Sequence, residues 1–201
     1  GDVLDEAAMT EGMRGSEIVY HVAGINTFCP TDPAELLHVN VRGAELAVRA
    51  AAAAGARRVV LTSSAATIGE RTGTVGTETS PHRGSYMSVY ERSKHEGELA
   101  AFAAARNAGI ELVAVLPSSV QGPGRATGTG RILIAYLNGK LKVFVDTRIS
   151  LVDIDDAIEA HLLAAERGKP GERYLISGAT ITSLEALDIV GRITGVRHNV
   201  R

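Results

Sequence analysis

Cysteine is almost missing from the 201 residues. Cys29 stands alone, so no internal disulfide can form and a reducing compartment is expected. No apolar run approaches the roughly 20 residues of a membrane span, and no charged-then-apolar leader opens the chain, so a cytoplasmic location is expected. Neither charge sign is in excess. A net charge of −2 with 45% hydrophobic residues excludes a disordered chain and gives no footprint for nucleic acid. Lysine is scarce, with Lys94, Lys140, Lys142 and Lys169 among 21 basic residues. The six histidines (His21, His38, His82, His95, His161 and His198) lack ligand spacing such as His-Glu-x-x-His, which argues against a metal hydrolase. What is present suits one good-sized domain with a real core.

The pattern alternates. IVYHVAG, 18–24, is a nearly continuous apolar run, as a strand covered on both faces would be. DPAELLHVNVRGAELAVRAAAAAG predicts a helix in which Asp32 caps, Pro33 fills the first turn, Glu35 completes a capping box and Gly55 stops it. RRVVLTSS, 57–64, is a second strand. SYMSVYERSKHEGELAAFAAARNAG is a long helix closed by Gly109, and ELVAVLPSSV is a third strand. A short helix ends at Gly139. ISLVDI, a helix from the Asp155 region to Gly168, GERYLISG, and a last helix capped by Thr182 and Glu185 follow. This order predicts an α/β, doubly wound parallel sheet. The chain is not expected to divide into independent folding units; its C-terminal third reads as a small cap on the sheet.

The chemistry centres on Tyr90-Glu-Arg-Ser-Lys94. The i, i+4 spacing puts phenol and ammonium on one helix face. A free tyrosine has a pKa of about 10, and a fixed cation beside it favours the phenolate. Taken alone, the pair also fits a solvated helix face. Three neighbours bear on it. Thr62-Ser63-Ser64 closes a strand at the end where open α/β sheets place ligands, although a plain turn is an equal reading. Asn40 shares a helix face with Leu36, Gly43 and Ala47, where a buried amide needs partners, a structural bond being the simpler use. Pro117-Ser-Ser-Val-Gln-Gly-Pro-Gly ends another strand.

Together these segments resemble the extended short-chain dehydrogenase/reductases, the NAD-dependent epimerase/dehydratase family, and within it dihydroflavonol-4-reductase-like and 3β-hydroxysteroid-dehydrogenase-like members. GDV, YHVAG, NVRGAEL, TSSAA, YERSK, PSSVQGPG and LVDIDDAIEAHLLA are similar to family segments in family order, and Ser64 precedes Tyr90 by 26 residues, as in extended members. The resemblance implies a Rossmann-like fold, one domain over 1–201, with substrate-cap segments near 121–150 and 170–201. It implies NAD or NADP as cofactor, touched by Asp2, Val3, Ala23, Asn40, Thr62, Tyr90, Lys94, Pro117 and Val120. Tyr90 is then the acid/base, Lys94 its electrostatic partner, Ser64 (rather than Ser63) the residue positioning a carbonyl or alcohol substrate, and Asn40 the organiser. The implied activity is hydride transfer, the cofactor carrying the redox step. A small-molecule substrate, a homodimer, and neither nucleic acid nor membrane are the expected partners. A sugar-nucleotide epimerase or dehydratase, or a non-catalytic nucleotide sensor, are the alternatives.

One segment imitates a phosphate loop. QGPGRATGTGR, 121–131, has glycines at 122, 124, 128 and 130, and Asp146 follows Gly124 by 22 residues. A dinucleotide turn belongs after the first strand, whereas this one follows the third. By resemblance it is a substrate-side loop, and residues 122–130 are expected to carry no cofactor phosphate. The family's Gly-x-x-Gly-x-x-Gly turn is not in the sequence, and the residue choosing NAD over NADP would belong to a second strand that is missing as well. The chain, opening on GDVLDEAAM, is therefore expected to be a fragment, incomplete at the N-terminus, with IVYHVAG exposing an apolar face unless the missing half covers it.

Overall fold

The computed structural model describes residues 1–27, 29–124 and 128–200. In chain order the elements are α1 (Glu6–Met13), β1 (Ile18–His21), α2 (Pro33–Leu37), a π-turn (His38–Arg42), α3 (Gly43–Ala53), β2 (Arg58–Thr62), a 3-10 turn (Ala65–Ile68) and α4 (Val89–Ala108). Then come β3 (Glu111–Pro117), β4 (Ser119–Gln121), α5 (Thr129–Leu137), β5 (Arg148–Asp153), α6 (Ile154–Arg167), β6 (Arg173–Ile176), β7 (Ala179–Thr182) and α7 (Ser183–Thr194). They fall into two compact units, Gly1–Pro117 with Glu159–Ile176, and Ser118–Ile158 with Ser177–Arg201.

The first unit holds a four-stranded sheet in the order β1-β2-β3-β6, parallel throughout. Val19 pairs with Val59, Val60 with Val113, and Val115 with Tyr174. Alternate residues feed opposite faces. Val59, Leu61, Leu112 and Leu116 pack with residues of α3 and α4, while Val60, Val113 and Val115 pack with Ala164 and Ala165 of α6. Helices on both faces explain why β2 and β3 read as unbroken apolar runs. At the edge of this sheet Tyr20 and Val22 are exposed, so the strand at 18–24 is not covered on both faces as its apolar run suggested. Arg58 is buried because its guanidinium meets Glu111 and the Ala164 and Ala165 carbonyls at the end of α6.

The second unit has β4 parallel to β5, and β5 antiparallel to β7. Its last helix starts with the expected capping box between Thr182 and Glu185. Gly122 packs tightly there: a Cβ would meet Ile154 Cγ2 at 2.3 Å. Gly122 is thus held by packing. Residues 125–127 of the glycine-rich segment lie outside the described residues.

Several boundaries differ from the sequence reading. The helix expected from Asp32 to Gly55 is interrupted by the π-turn, which fits one extra residue into its turn. Asp32 caps through the Ala34 and Glu35 amides, but among the described residues Glu35 does not complete a box. The long helix begins at Val89 because Ser88 is extended and its side chain takes the Glu91 amide. ELVAVLPSSV is two strands: after Pro117 the chain leaves one sheet and joins another. Helix α1 and strand β7 had no expectation.

Candidate functional site

The site is built along one face of α4. Tyr90, Ser93, Gly97 and Glu98 are buried there, and Lys94 is partly buried between them. Spacings of three and four residues make this a single stripe. The stripe is anchored before it starts. The Glu91 carboxylate pairs with Arg83 and accepts the Met87 amide at 2.8 Å, fixing the chain that leads into Tyr90.

Asn40 joins this face to β1's outgoing segment. Its Oδ1 accepts from Ile25 N at 2.7 Å, while Nδ2 donates to Ile25 O at 3.0 Å and to Ser93 Oγ at 2.9 Å. Ser93 Oγ in turn donates to Tyr90 O at 2.8 Å. The buried amide is thereby satisfied, as a group removed from water must be.

Lys94 Nζ donates to Thr62 O at 2.8 Å, at the C-terminal end of β2. Burial lowers its pKa to about 8, and the Glu98 carboxylate opposes that shift. Across from it, burial and the charge of Lys94 depress His21 to about 4, so this strand histidine is neutral near pH 7. His21, Asn40, Thr62, Ser63, Lys94 and Glu98 line a small polar cavity of about 10 Å³, room for one water.

The two serines differ. Ser63 is buried and its hydroxyl donates to Glu98. Ser64 caps the 3-10 turn, accepting from Ala66 N at 3.2 Å, so its own proton stays available among the described residues. Thr62 Oγ1 meets His161 Nε2 at 2.8 Å.

The other expected residues are spread more widely. Ala23 is exposed just beyond β1. Asp2 takes the Leu4 amide on its side chain, and Val3 packs against Gly43. Pro117 is buried at the end of β3, paired with Ile176. Val120 belongs to the second unit, in β4 opposite Val152. The structure links Asn40 through Ser93 to the Tyr90 backbone carbonyl, and Lys94 to the Thr62 carbonyl, with Ser64 two residues further along the chain. Sequence reasoning missed Ser93, Gly97, Glu98, Thr67 and Arg173. The helical stripe that links Tyr90 to Lys94 continues to positions 93, 97 and 98, and following it would have found three of them.

Comparison with known proteins identifies the family. The family model described as "NAD dependent epimerase/dehydratase family" matches residues 1–177. Sterol demethylase protein B of Methylococcus capsulatus is 31% identical over 200 residues, spanning 97% of this chain and 60% of its own length. Cinnamoyl-CoA reductase 1 of Petunia hybrida is 29% identical over 202 residues, spanning 95% and 60%. The crystal structure of gox2253 superposes with a TM-score of 0.92 at 32% identity, covering 100% of this chain and 62% of that one. The chain thus spans about 60% of the length of the relatives it matches. A match that begins before β1 and ends after β6 takes in the whole parallel sheet and every residue of the α4 stripe: this chain belongs to the NAD dependent epimerase/dehydratase family.

Proposed function

We propose that the whole protein is an NAD(P)-dependent oxidoreductase acting on a small carbonyl compound or the matching secondary alcohol. The observation that supports this most is the placement of Lys94. A partly buried ammonium, one helical turn from Tyr90, is held at the C-terminal end of β2 immediately before the serine pair. Sheet edges of this kind are where doubly wound folds take their ligands.

A nicotinamide dinucleotide would supply the hydride when bound. The residues present suit it: Ala23 offers an exposed, side-chain-poor strand end, and Lys94 uses one of its three donors on Thr62, leaving two for ribose hydroxyls. Thr62, Tyr90, Asp2, Val3 and Pro117 are further proposed contacts. The chain's own work is proton handling. Tyr90 Oη gives its proton to the substrate oxygen during reduction and takes it back in the reverse direction. The Lys94 charge favours the phenolate left behind. Ser64, with its hydroxyl proton available, orients the substrate oxygen, whereas Ser63 is committed to Glu98. Asn40 braces Ser93 and hence the first turn of α4.

The test is Tyr90→Phe in the full-length protein, assayed with NADH and with NADPH on a panel of aryl aldehydes and cyclic ketones. Loss of the acid/base should cost roughly a hundredfold or more in kcat with the far-UV circular dichroism unchanged. A near-native rate in the variant refutes the assignment.

A further inference from the structure

We infer that Glu98 is a positioning residue for this reaction: its buried carboxylate, with Arg173 as counter-ion, holds the serine loop in place and is the anion lining the cavity it shares with Lys94. The inference rests on the function proposed above and concerns how the same site is held.

Glu98 is only 3% exposed, and carboxylates are rarely so buried unless paired. Both its oxygens are used. Oε2 accepts from Ser63 Oγ and lies 3.1 Å from Thr67 Oγ1. Oε1 is 2.7 Å from Arg173 Nε, an ion-pair contact whose N–H is not aligned for a hydrogen bond. Arg173 Nη2 donates to Thr67 Oγ1 at 2.7 Å. Thr67 Oγ1 also lies 2.8 Å from Ser64 O, and its single proton serves that carbonyl or Glu98. The backbone on both sides of the Ser64 side chain is therefore tied to one carboxylate, through Ser63 before it and Thr67 after it. Stability alone is a poor reason for this arrangement, since apolar replacement of a buried ion pair is often neutral or stabilising.

The same carboxylate follows Lys94 by one turn of α4. Around Lys94 stand His21 of β1, which is neutral, the uncharged Asn40, Thr62 of β2 with His161 of α6 on its hydroxyl, and Tyr90 on its own helix. Arg173 of β6 meets the Oε1 of Glu98. Among the described residues lining this cavity, Glu98 is the anion. Burial drives Lys94 toward the neutral amine, and Glu98 opposes it. Removing the anion leaves burial unopposed.

The experiment uses the full-length protein, Glu98→Gln, Glu98→Asp, and the charge-free pair Glu98→Gln/Arg173→Gln, which avoids stranding an arginine if the single variant folds poorly. Lys94 is titrated by 15N NMR, assigned with Lys94→Met, and kcat/KM is followed against pH with the best substrate of the panel. The Glu98→Gln midpoint should fall by about one pH unit, carrying the alkaline limb of kcat/KM with it, a loss of about fivefold at pH 8. Glu98→Asp should keep the native midpoint, and the double variant should stay below it. An unmoved midpoint in folded Glu98→Gln or the double variant overturns the proposal and leaves the oxidoreductase reading standing. If the wild type reduces nothing on the panel, the reading of function fails instead, while the NMR midpoint still decides whether Glu98 holds the charge of Lys94.

Discussion

Gly97→Ala sets two effects of opposite sign against each other. Gly97 lies inside α4, and in a helix interior alanine is favoured over glycine by about 1 kcal/mol. Helix propensity alone therefore predicts a more stable protein. The tertiary structure predicts the reverse. A Cβ built on Gly97 would stand 2.5 Å from Asn40 O, 3.2 Å from its carbonyl carbon and 3.5 Å from Val41 Cα. These are backbone atoms of the π-turn, with no side-chain rotamer to yield, so α4 or the turn itself must move. Overpacking of a close contact costs about 1–3 kcal/mol, and the backbone partner argues for the upper end. Subtracting the propensity gain leaves a net destabilisation of about 2 kcal/mol. At roughly 2–4 °C per kcal/mol for a chain of this size, Tm should drop by about 4–8 °C. Urea unfolding followed by far-UV circular dichroism, with a thermal scan alongside, reads both numbers. The variant should also loosen the Asn40–Ser93 bond, because that bond spans the same gap. An unchanged or raised urea midpoint would show that the contact does not limit the packing, and the reasoning would be wrong.

Two other outcomes follow from the site. His21 is held neutral by burial and by the charge of Lys94 until about pH 4, whereas in the unfolded chain it protonates near the ordinary value of about 6.5. Stability should then decline as pH falls through that window, by up to about 3 kcal/mol, and His21→Gln should remove that part of the acid loss; an identical pH–stability curve in the variant refutes it. Asn40→Ala strips partners from Ile25 N, Ile25 O and Ser93, and should lower the urea-derived stability by about 1–3 kcal/mol; a loss under about 0.5 kcal/mol would mean that those groups find other partners.

Much of this was legible in the linear chain. Apolar runs such as RVVL and LVAVL determined parallel, doubly covered strands, because period and composition are local properties set by which faces meet water. The i, i+4 relation of Tyr90 and Lys94 follows from helix geometry alone, and so does the cap at Thr182 with Glu185. What the sequence left open depends on contacts between residues far apart in it. Only the fold joins Glu98 to Arg173 and Ser63, and only the fold separates a committed Ser63 from an available Ser64 that looks identical in TSS. The π-turn at Asn40 and the glycine at 97 make sense together, since the close approach of two backbones selects both and no propensity in either segment encodes it. Local preference chose the elements. Desolvation and close packing, which exist only once α4 lies against β2 and the π-turn, decided which polar groups are paired, which is neutral and which keeps its charge.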